Sequence, residues 1–181
     1  AQTSKAVDAA VATQSAYNAQ LAGLQASKLA LETEKKAYTD AGIEAQYEQI
    51  NESFASVRNM ASGYGMDASA YPADISDALK SPKKLEALTA FMKQIGQSDA
   101  AASLTTDNLK QLDQIVNTRL PQIDTELANL AVEIQAAQAI ADQVNEQVKA
   151  ATDNYEALES GKISAAVGFS TGAAQIADGQ A

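Results

Sequence analysis

Apolar residues recur along this chain in steps of three and four, the period of a helix that buries one face. The pattern is loose at first, through Tyr17, Leu21, Leu24, Leu31 and Tyr38, with Lys28 and Lys35 interrupting it. It sharpens at Ile43, Tyr47, Ile50, Phe54, Val57 and Ala61, which keep the step without a miss. Residues 1–62 lack proline and are dominated by good helix formers, so they predict one long helix. A break or kink is expected at Thr39-Asp40-Ala41-Gly42, with Asp40 as a new N-cap, because glycine inside a helix costs about 1 kcal/mol.

A different style follows. Ser62-Gly63-Tyr64-Gly65-Met66-Asp67 is turn chemistry that ends a helix, and Tyr71-Pro72 lies just beyond. Residues 74–79 allow one or two helical turns. Ser81-Pro82 is a helix start, with serine at the N-cap and proline at N1. Leu85, Leu88, Phe91, Met92 and Ile95 supply that helix with an apolar face, and Gly96 ends it. Residues 63–104 therefore predict a small helical appendage.

The second long element, over residues 105–160, starts near Thr106. Leu120, Ile123, Leu127, Leu130, Ile134, Ala137, Ala141, Val144, Val148, Ala151, Tyr155 and Leu158 hold the three-four step for about five heptads. Pro121 is expected to kink this helix or begin a new one, since it lacks a donor and clashes with the preceding turn. Gly161 is the expected end. At about 1.5 Å of rise per residue, the stretch from 120 to 159 would be roughly 60 Å long. Residues 161–181 predict a short third helix or a loose tail. The expected fold is all-α: an elongated bundle of two long antiparallel helices, a short third helix and the appendage, in one folded domain.

Composition fits a thin bundle. Apolar residues are 46% of the 181, but alanine supplies much of that and aromatics only 5%, so each contact buries little area and many must be repeated. Thirteen basic residues face 23 acidic ones, a net charge of −10 that repels phosphate backbones and anionic lipid surfaces. No nucleic-acid partner is expected. No stretch reaches the length of a membrane span; residues 163–177 are uncharged but short and diluted by glycine and serine. The chain has neither histidine nor cysteine, which removes imidazole bases, thiol nucleophiles and most transition-metal ligands. The opening Ala1-Gln2-Thr3 has the look of an exported protein after cleavage at a small residue.

The remaining chemistry is sparse. Glu44 with Glu48, and Asp142 with Glu146, stand four residues apart on helix faces, a spacing that could serve acid/base work or a divalent cation. With no pocket to split their affinities for protons, they read as solvated charge. Lys80, Lys83, Lys84 and Lys93 form the basic cluster, interleaved with Asp74, Asp77 and Glu86, and could meet an acidic partner. Tyr64 and Met66 in the glycine turn belong to residue types enriched at interfaces. Tyr64, Met66, Lys80, Lys83 and Lys84 are therefore the candidate partner-contact residues. Residues 163–177 are a candidate docking segment. No catalytic residue, metal ligand or cofactor site is expected.

In layout the chain resembles the minor pilin family of type IV secretion and conjugation systems. The points of likeness are the mature-looking start at Ala1-Gln2, the long Gln/Ala-rich helix, the turn Arg58-Asn59-Met60-Ala61-Ser62-Gly63-Tyr64-Gly65-Met66, the helical appendage and the second long helix. The resemblance covers most of the chain in architecture and the turn alone in residues. It implies a non-catalytic exported subunit of the periplasm and pilus, used in pilus assembly and cell contact, whose partners are other secretion components and a cell-surface receptor. The alternative is a periplasmic helical adaptor or holdase that grips clients between its helices.

Overall fold

The computed structural model describes residues 2–169, and among these it contains helices and turns but no strand. Helix α1 spans Gln2–Asp40 and α2 Ile43–Gly63. A 3-10 turn at Ala68–Ala70 leads to α3 (Ile75–Lys80), α4 (Pro82–Gln94), α5 (Ser98–Ser103) and α6 (Thr106–Gln114). A π-turn at Ile115–Arg119 then runs directly into α7, Leu120–Phe169. Of the short helix or tail expected over 161–181, residues 170–181, with most of the candidate docking segment, lie outside the described residues. The chain divides into two compact units, residues 30–128 and residues 1–29 with 129–181.

The larger core belongs to residues 30–128. Phe54, Val57 and Ala61 of α2 are buried in one cluster with Tyr71, Ile75, Leu85, Leu88, Phe91, Met92 and Leu109. The sharp seam of α2 and the apolar face of α4 thus meet as two sides of one core, and residues 63–104 share it with α2 and α6. Asn51 on α2 accepts the backbone N–H of Ile75 at 2.8 Å, which satisfies a donor in the first turn of α3. Asp74 caps α3 by accepting the N–H of Asp77 at 2.7 Å, while Asp77 reaches back to the N–H of Ala73 at 3.0 Å. That backbone bond, followed by Lys84, holds the Asp77 carboxyl below the usual carboxylate range.

In the other unit, Leu21 of α1 is buried with Ala137 and Ala141 of α7, and Leu24 and Ile134 pack against them. Gln14 donates to Asn145 at 2.7 Å. Small residues at the contact bring the helices together but bury little surface, so this core is thin.

Two expectations need correction. The chain breaks at residues 41–42, but Asp40 is no N-cap. Its carboxylate pairs with Lys36 at 2.9 Å, and Gly42 takes the N-cap place of α2 with φ of 66°. An aspartate can cap only from extended backbone, and Asp40 is still the last residue of α1. Pro121 lies in the first turn of a new helix, as expected, one residue after α7 begins at Leu120. The preceding π-turn, in which Leu120 N–H donates to Ile115 O, shifts the hydrogen-bond register one residue before the proline ring must be accommodated. Gly161 does not end α7, which continues to Phe169. Glycine weakens a helix interior without stopping it unless the backbone turns left-handed there.

Candidate interaction surface

The glycine turn after α2 is built from the backbone outward. Gly65 has φ of 80°, a conformation that L side chains rarely adopt. With it in place, Met66 N–H donates to Ala61 O and Gly65 N–H to Ser62 O, both at 3.0 Å. These two bonds form a Schellman closure and satisfy the last carbonyls of the helix. Arg58 donates to Ala68 O at 3.0 Å and ties the following 3-10 turn back onto α2.

This closure presents three large apolar side chains to solvent. Tyr64 is 72% exposed, and Met60 and Met66 are each 40% exposed. Met60 was not among the expected contact residues. Its signal was available in the i,i+4 spacing to Tyr64, which puts the two on one side of the helix end. Beneath Tyr64 and Met66 lies an aromatic layer. The Tyr64 ring meets Phe91 edge-on with centroids 6.2 Å apart, and Tyr71 lies 5.8 Å from the same ring. The Tyr71 hydroxyl donates to the Met66 sulfur at 3.3 Å. Phe91 and Tyr71 are buried, so Tyr64 and Met66 rest on a floor anchored in the core.

The lysines are less concentrated than the sequence suggests. Lys80 and Lys83 are exposed. Lys84 is half-buried, with its ammonium 3.3 Å from Asp77, and serves the α3–α4 junction. No contact joins the lysines to the Tyr64 cluster. The connection is helix α4, which carries Lys83 and Lys84 in its first turn and Phe91 about two turns later, roughly 10 Å along the axis.

The paired carboxylates remain dispersed. Glu44 and Glu48 are exposed on the rim of an open recess that also includes Tyr38, Gly42 and Leu120. Asp142 accepts from Gln138 at 2.9 Å. Among the described residues no three acidic groups gather as a cation site would require, and no helix is long and apolar enough to cross a membrane.

A bidentate ion pair lies elsewhere in residues 30–128. Arg119 clamps Glu34 through two hydrogen bonds of 2.5 and 2.6 Å. This bidentate bond holds the Glu34 carboxyl below its ordinary range and raises the guanidinium above its own. Lys35 pairs with Asp124 at 2.6 Å, which raises the lysine. Comparison with known proteins finds no matching family model, no matching curated protein and no matching solved structure.

Proposed function

We propose that this chain is a non-catalytic, exported structural and adhesive subunit of a type IV secretion or conjugative pilus. It meets its partner through Tyr64, Met66 and Met60. One observation carries the reading: three large apolar side chains stand in water around a turn whose backbone is set by glycine, two of them, Tyr64 and Met66, on a floor anchored in the core. Aromatic residues and methionine in such a setting are enriched at protein interfaces, and a preformed backbone lowers the ordering cost of binding. Lys80 and Lys83 are exposed on the same unit, and their positive charge on a chain of net −10 suits an acidic stretch of the partner.

The test is Tyr64→Ala in a transfer assay, with fractionation of the periplasm and the cell surface. Native helical ellipticity with reduced transfer or pilus assembly is the expected result. Unchanged transfer removes Tyr64 from the contact. A purely periplasmic pool that binds unfolded clients would favour an adaptor or holdase instead. The elongated bundle of two antiparallel helices is part of the same proposal, and small-angle scattering from a round particle would sink it.

A further inference from the structure

Within residues 30–128, two interruptions of regular helix face each other. On one side α1 stops at Asp40 and α2 begins at Ile43, with Gly42 left-handed between them. On the other, the π-turn Ile115–Arg119 separates α6 from α7. Leu120, at the end of the π-turn, lines an open recess of about 310 Å³ together with Tyr38, Thr39, Gly42 and Ile43. The large apolar cluster of this unit draws on residues between Tyr47 and Leu109 and stops short of both breaks. Beyond it, Leu120 and Ile123 are buried at the start of α7, so the joint is packed on its α7 side, and π-turns inside helices recur at functional sites.

The π-turn is held from two sides by polar side chains. Arg119 grips Glu34 on α1 at 2.5 and 2.6 Å, and Tyr38 adds its hydroxyl to the same carboxylate at 3.2 Å. Asn117 donates to the Tyr47 hydroxyl on α2 at 3.0 Å and to Asp113 at 2.7 Å. Lys35 and Asp124, 2.6 Å apart, join the last turns of α1 to the first turns of α7. The Glu34 and Arg119 side chains are each 33% exposed, so the clamp is open to screening by salt, which an apolar joint would resist.

We propose that the paired breaks form a hinge inside this unit and that the Glu34–Arg119 clamp is its latch. The last turns of α1 and the first turns of α7, tied by Lys35–Asp124, swing as one body against the core that carries the Tyr64 surface. The axis passes through Gly42 and the π-turn. Releasing Arg119 leaves the π-turn tethered only on its α2 side and frees the swing. The inference does not depend on the pilus reading.

The chain contains no cysteine, so spin labels can be placed cleanly. Ala37→Cys and Ser56→Cys, both at exposed positions on opposite sides of Gly42, report the angle by double electron–electron resonance in the full chain. One narrow distance is expected at low ionic strength. Adding Arg119→Gln should produce a second, resolved distance population, and Glu34→Gln, which opens the same clamp from α1 and leaves Lys35–Asp124 in place, should produce the same population. An identical single distribution in both arms overturns the hinge. If Arg119→Gln loses helical ellipticity, the Glu34→Gln arm alone decides, in either direction.

Discussion

The Tyr64 surface depends on a core that holds its floor, and replacing Phe54 with alanine tests that core directly. Phe54 exposes none of its surface and lies in one cluster with Val57, Leu88, Phe91, Met92 and Leu109. Returning a fully buried phenylalanine to water forfeits about 1.5–3 kcal/mol of transfer free energy. The packed neighbours collapse only partly into the space left, and the cavity brings the loss to about 3–5 kcal/mol. That is a large share of the roughly 5–15 kcal/mol available to a domain. With a urea slope of about 2 kcal/mol per molar, the midpoint of the helical signal at 222 nm should fall by about 2 M. Val132→Ala is the control, because Val132 is 68% exposed and its truncation should stay within about 0.5 kcal/mol. A Phe54→Ala loss below about 1 kcal/mol, or one matched by Val132→Ala, would refute the packing described for α2, α4 and α6.

Three further outcomes are expected. Gly42→Ala should cost about 1–2 kcal/mol, because φ of 66° strains an L residue although an added Cβ there meets nothing within 4 Å; an unchanged urea midpoint would show that the turn relaxes. Ala141→Leu should cost about 1–3 kcal/mol by forcing a larger side chain into the thin contact with Leu21, where Ala141 is 2% exposed. A neutral or stabilising result in thermal melting would mean that the contact has room to spare. The Glu34 carboxyl is lowered in the folded chain, so its contribution is complete above the unfolded value of about 4.3 and is lost as pH falls through the lower folded value. Glu34→Gln should therefore flatten the acid limb of a stability–pH profile, leaving the share of Asp67 and Asp77, whose carboxyls are also lowered. An acid limb as steep as the native one would count against the clamp.

Much of the local structure was legible because it depends on spacing and on a few backbone-restricting residues. All the seam positions from Ile43 to Ala61 and from Leu120 to Leu158 are buried or half-buried. The Ser81-Pro82 start, the Gly96 stop and the helix-ending role of Gly65 follow from dihedral preference alone. Exposure of Tyr64 and Met66 was readable from their place in a turn, whereas the aromatic floor was not, because Phe91 and Tyr71 reach it from separate elements.

What the amino-acid order determined by itself, then, is the helical class, the buried faces and the turns, since these arise from interactions within a few residues. Tertiary structure alone decided the rest. The π-turn that accommodates Pro121 is held by Glu34 and Tyr47, 85 and 70 residues away along the chain from their partners. Lys84 left the candidate surface because folding brings Asp77 within 3.3 Å of it. Asp40 lost its expected cap to a lysine one helical turn behind it and to a glycine two residues ahead. In each case a distant or competing partner outweighed local propensity, and propensities are worth only tenths of a kcal/mol to about 1 kcal/mol per residue.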